Sequence, residues 1–119
     1  MQEEWKSKWV AALRSGKYRQ GEMTLRDYDD KFCCLGVLCD LVKPDGWVRG
    51  TGRYVFEFES QVQTTKLPWS VIDIVGDVNQ GDLIRMNDND KASFEKIADF
   101  IEGSEWSGPS VKNEMGSST

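Results

Sequence analysis

The chain has 119 residues, a net charge of −5 and no histidine. Lacking imidazole, it has no Ser-His-Asp or Cys-His nucleophile, no His-held zinc or haem, and no imidazole base working near neutral pH. The length fits one domain, the 39% hydrophobic and 29% charged residues suit a soluble globular core of modest size, and a pI near 4.7 argues against the basic surface that duplex DNA requires.

Trp5, Trp9, Ala12 and Leu13 recur at helical spacing before Gly16, which predicts an amphipathic first helix with Lys6, Lys8 and Arg14 on its other face. Met23 and Leu25 alternate with Thr24 and Arg26, so a short strand is expected there. The cluster Asp27-Tyr28-Asp29-Asp30 then turns it back as a hairpin into Lys31-Phe32-Cys33-Cys34.

Leu35 to Val42 reads as a short buried helix stopped by Lys43-Pro44-Asp45-Gly46. Gly36 inside it costs about 1 kcal/mol against Ala, which suits a place where another backbone comes close. Arg53 to Glu59 is the clearest strand, with Tyr54, Phe56 and Phe58 on a buried side and Glu57 and Glu59 on a wet one. Pro68 fits a first helical turn, Leu67, Val71 and Ile74 form an apolar stripe with Trp69 counted as core, and Gly76 ends the element. Leu83, Ile84 and Met86 are expected to be extended. Phe94, Ile97, Ala98 and Ile101 define a last helix, capped by Asp90 or Ser93 and closed by Gly103.

These elements predict a single α+β domain over residues 1–106, an antiparallel sheet of about three to four short strands packed with three to four helices. The stretch 107–119 is expected to be a flexible tail. No secretory pattern opens the chain, because Glu3, Glu4, Lys6 and Lys8 interrupt it, and no apolar run approaches the roughly 20 residues that span a bilayer. Cys33, Cys34 and Cys39 are odd in number and confined to one apolar segment. They read as buried thiols in a reducing cytoplasm rather than a disulfide framework.

Candidate motifs fail at named positions. A phosphate loop around Gly16-Lys17 needs Gly where Ala11 stands and a hydroxyl where Tyr18 stands. Asn87-Asp88-Asn89-Asp90 resembles the start of a calcium loop but has Ser93 at its sixth position and Asp99 at its twelfth. Zinc would need paired, spaced ligands, not the vicinal Cys33 and Cys34. No metal or cofactor is expected. Trp47 beside Gly46, and Trp106 beyond the last helix, lie off the apolar stripes, and each is either a partner anchor or a lid over the core edge.

The run from Trp9 to Gly21, continuing through Leu25-Arg26 to Phe32-Cys33-Cys34-Leu35-Gly36-Val37-Leu38-Cys39-Asp40-Leu41, with Met86-Asn87-Asp88 and Ser93 to Glu102, resembles a family of small phage and prophage proteins without an assigned activity. The resemblance implies a setting, not a mechanism, and carries over no functional residue. Together with the missing catalytic motifs, it leads to the expectation of a phage-encoded, non-enzymatic binding protein in the host cytoplasm.

Two forms of that expectation name residues. An anionic ligand such as a nucleotide would meet Arg14, Lys17, Arg19 and Arg26 together with Asn87 and Asp88. A host protein would meet Trp47, Trp106 and an acidic row of Asp99, Glu102 and Glu105. The alternatives are a metal-dependent enzyme using Asp82, Asp88 and Asp90, or a minor virion component.

Overall fold

Helix α1 (Glu3–Arg14) forms where its periodicity places it and buries Trp9, Val10 and Leu13. Glu3 and Glu4 in its first turn and Arg14 in its last complement the helix dipole. The computed structural model in which it is seen describes residues 1–104; the expected tail, with Glu105 and Trp106, lies outside the described residues. One assignment on α1 is corrected. Lys6, placed on the solvent side by its charge, is 7% exposed, and its Nζ donates to the Ser104 carbonyl at 2.9 Å. A lysine stem can lie along apolar surface while its head finds an acceptor.

The expected strand at Met23–Leu25 does not form. Met23 takes a positive φ of 71°, which breaks the alternation and leaves its side chain exposed. Leu25 is fully buried, donating its amide to Thr64 O at 2.7 Å and accepting from Cys33 N at 3.3 Å. The Asp27–Asp30 turn does form, with Asp27 Oδ1 accepting from the amides of Asp29 and Lys31. Strand β2 (Lys31–Phe32) pairs in parallel with β1 (Arg19–Gln20), and Phe32 also bridges Arg26 antiparallel.

Helix α2 (Cys34–Val42) follows at once, with six of its first residues buried from Cys34 to Cys39. Gly36 is required. A Cβ there would lie 1.9 Å from Leu25 O, so only glycine lets the two backbones meet.

Strands β3 (Trp47–Arg49), β4 (Tyr54–Phe58) and β5 (Gln61–Gln63) form an antiparallel sheet in the order β3-β4-β5. On β4, Phe56 is buried while Tyr54 and Phe58 are half-buried, and Glu57 faces solvent. Where β5 stops short, Arg26 and Asp27 take over beside β4: Tyr54 N donates to Arg26 O at 3.1 Å, and Asp27 bridges Arg53. The first half of the chain is thereby stitched to the sheet.

Helix α3 (Trp69–Val75) begins after Pro68, which sits at the N-cap. Its buried side is Val71 and Val75, with Leu67 just ahead. Trp69 is not core but 69% exposed, and Ile74 is 38% exposed. At about 100° per residue, Trp69 stands roughly 200° from Val71 and must face outward. Leu83 to Met86 are helical, not extended. Helix α4 (Gln80–Ile84) is capped by Asn79, whose side chain accepts from Asp82 N, and it runs into a widened turn (Arg85–Asn89) closed by Asp90 N donating to Arg85 O. Helix α5 (Phe94–Glu102) has Ser93 as its cap and buries Phe94, Ile97, Ala98 and Ile101.

Among the described residues the result is an α+β fold of five helices with a three-stranded antiparallel sheet and a two-stranded parallel ladder. One core joins Trp9, Leu25, Leu38, Phe56, Val71, Leu83 and Ile97. Among the described residues no helix is long and apolar enough to cross a membrane.

Candidate functional site

A cavity of about 250 Å³ lies where the 23–24 bend, the start of α2 and the widened turn after α4 converge. Leu35, Ile84, Met23, Cys33 and Cys34 supply apolar wall, and Thr24, Thr65, Asn87 and Asp88 supply polar atoms. A concave, mainly apolar space with a few placed polar groups is the usual form of a small-molecule site.

Asn87 builds it. The widened turn carries this amide into the interior, where it is 1% exposed. Its Nδ2 donates to Gly21 O and to Asp88 Oδ1, both at 2.9 Å, and its Oδ1 accepts from Gln20 Nε2 at 3.0 Å. Gln20 also donates to Ala92 O and accepts from Phe94 N, so one glutamine ties β1 to the start of α5. Asp88 Oδ1 further accepts from Met23 N at 3.0 Å. Asp88 makes no ion pair among the described residues, and its Oδ2 receives no donor from them.

The thiols are inert. Burial pushes Cys33 up to about 11 despite the amides of Gly36 and Leu35 nearby. Cys34 and Cys39 are raised well above the ordinary thiol value for the same first cause. Cys34 Sγ donates to Leu83 O at 3.8 Å. A helix N-terminus usually favours a thiolate, but here desolvation wins.

The basic residues expected around Asn87 and Asp88 are not assembled there, and none lines the cavity. Arg14 is held on α5 by Glu95 at 3.2 Å, Asp99 at 2.5 Å and Glu102 at 3.0 Å, and the bonds to Glu102 and then Asp99 raise its pKa further. Arg26 pairs with Asp30 and lies 4.2 Å over the Tyr54 ring. Arg19 donates to Asp29 O at 2.9 Å, and Lys17 stands exposed beyond the end of α1. Arg14, Arg19 and Arg26 are each engaged by a carboxylate, carbonyl or ring away from the cavity, so no common anion site results. The acidic row is altered likewise, because Asp99 and Glu102 already hold Arg14; Glu105 and Trp106 lie outside the described residues.

Trp47 is a lid rather than a free anchor. It is half-buried between Phe32 and Phe56, and its Nε1 donates to Asp40 Oδ1 at 2.9 Å. Asp40 Oδ2 accepts from Tyr18 OH at 2.7 Å, so one carboxylate fixes two aromatic rings; burial, then this bond, raises the Tyr18 pKa. The proposed metal acids also part company. Asp82 and Asp90 both turn to Arg85, while Asp88 turns to Met23 and Asn87. Among the described residues no three His, Cys, Asp or Glu side chains are grouped to hold a metal.

Of the cavity's polar atoms, sequence reasoning found Asn87 and Asp88 but attached them to the wrong neighbours. Thr24, Thr65 and the orienting Gln20 carried no signal, since each is an ordinary polar residue in a loop or short strand. No curated protein and no solved structure matches the chain. A family model does match, over residues 1–72, the part that supplies Met23, Thr24, Cys33, Cys34, Leu35 and Thr65 to the cavity wall, and the chain belongs to that family, a domain of unknown function (DUF8296).

Proposed function

We propose that the chain is a phage-encoded, non-enzymatic binding domain of the host cytoplasm whose ligand is a small molecule held in the cavity between α2 and the 85–89 turn. The observation that carries this reading is the cavity itself: an apolar wall with one carboxylate oxygen left without a donor among the described residues. The setting is supported by the sequence resemblance and by three buried cysteines, all unpaired, as a reducing compartment leaves them. Binding rather than turnover is supported by the thiols, which burial keeps protonated beside a carboxylate that already accepts two hydrogen bonds through one oxygen.

Size sets the scale of the experiment. A space somewhat larger than the roughly 150 Å³ that accommodates benzene takes a ligand of about ten non-hydrogen atoms. At roughly 0.5 kcal/mol per atom the affinity falls in the submillimolar range. A fragment library at millimolar concentration, followed by amide NMR, is therefore expected to move the Met23, Leu35 and Asn87 signals together and raise the melting temperature by several degrees. Thr65 is exposed at the cavity rim, so Thr65→Trp should block the response while leaving the rest of the spectrum folded. A library that shifts none of these signals, or shifts that survive Thr65→Trp, would overturn the reading.

A further inference from the structure

We infer that the cavity selects ligands carrying an ammonium group or equivalent cationic N–H donor on a short apolar body, and rejects anions. This rests on the cavity being the ligand site. Its one charged lining residue is Asp88. One oxygen, Oδ1, is saturated by Met23 N at 3.0 Å and Asn87 Nδ2 at 2.9 Å, which fixes the carboxylate in place. The other, Oδ2, has no donor among the described residues.

Among the described residues no cation pairs with it. The cations nearest in sequence are engaged elsewhere, Lys91 with Glu22 at 2.6 Å and Arg85 with Asp82 at 2.8 Å. The remaining wall holds neutral thiols, hydroxyls and aliphatic carbons. Inside a half-enclosed space of low polarity, an uncompensated carboxylate attracts a cation and repels an anion more strongly than it would in water. Asn87 strengthens the bias, since its N–H atoms are spent on Gly21 O and Asp88 Oδ1 and are not offered to an incoming anion. Elsewhere in the wall, Leu35 and Ile84 offer apolar contact without a hydrogen-bonding group. The recognised chemistry is thus an amine head on a compact hydrocarbon or aromatic body.

Three probes of matched body test this on the full chain: 2-phenylethylamine, 2-phenylethanol and phenylacetate, titrated by NMR. The amine is expected to bind at least tenfold more tightly than the alcohol, with the carboxylate weaker than both. Asp88→Asn should level the amine with the alcohol, because the Asn side-chain oxygen keeps an acceptor for Met23 N while the charge is gone. In the unsubstituted protein, raising the salt concentration should weaken the amine alone, a readout that holds even if the variant does not fold. Alcohol binding with no preference for the amine, or carboxylate binding as tight as the amine's, would overturn the inference and leave the ligand site standing. If none of the three binds and the fragment screen is also silent, both fall together.

Discussion

Gly36 and Leu25 meet backbone to backbone: a Cβ on Gly36 would sit 1.9 Å from the Leu25 carbonyl oxygen and 2.7 Å from its carbon. That contact lets Leu25 O accept from Cys33 N and seats the 23–25 segment against the first turn of α2. Met23 and Thr24 on one side of it, and Cys34 and Leu35 on the other, line the cavity. Gly36→Ala gains about 1 kcal/mol of helix propensity but must push two main chains apart, so a net loss of about 3 kcal/mol is expected, read as a lower urea midpoint. A variant as stable as the parent would show that the two backbones do not touch.

Trp9 is fully buried and its Nε1 donates to Cys34 O at 2.9 Å, across 25 residues of sequence. It pins α1 to α2. Trp9→Phe removes that bond and part of the ring volume together, and a loss of about 2 kcal/mol is expected in thermal or urea unfolding. Trp69→Phe, at a side chain 69% exposed, should change stability by less than about 0.5 kcal/mol.

The thiols make stability fall on the alkaline side. Cys33 titrates at about 11 when folded against 9.0 for an ordinary thiol, so above pH 9 the unfolded chain loses protons that the folded chain keeps. Stability from this group is constant below about pH 9 and drops as pH rises toward 11, by roughly 2 to 3 kcal/mol. Cys34 and Cys39 add to the same direction. Urea midpoints between pH 8 and 11 measure it, and a flat profile would contradict the burial of all three.

Asn87 ties the widened turn to Gly21, Gln20 and Asp88. Asn87→Ala leaves Gly21 O without this donor and is expected to cost about 2 kcal/mol. Asn87→Asp is expected to cost more at neutral pH, because a carboxylate there faces Gly21 O and Asp88 Oδ1, both acceptors. As pH falls and the new acid gains a proton to donate, the gap between the two variants should narrow. Denaturation at pH 7 and pH 5 compares them, and equal losses at both would argue that the site is wetter than its 1% exposure implies.

Local pattern made much of the fold legible. The spacing of Trp9 and Leu13, of Phe94, Ile97 and Ile101, and the alternation through Tyr54, Phe56 and Phe58 depend only on helical or extended periodicity, and those elements stand where they were expected. Asn79 shows the opposite case. Its capping of α4 converts an apolar run that looks extended into helix, because a single side-chain bond at the start outweighs a weak pattern.

What the sequence by itself determined is which residues want to share a face, and that Gly36 suits a place where another backbone comes close. Only the tertiary structure decided which element covers each face. It buried Lys6 under Ser104, turned Trp69 to solvent, and spent Arg14 on three carboxylates of α5 that lie more than 80 residues away. Charges find partners by proximity in space, and that proximity is set by packing of the core, so a row of basic residues along the chain scatters while Asp88, from a distant turn, stands beside the cavity with no cation paired to it among the described residues.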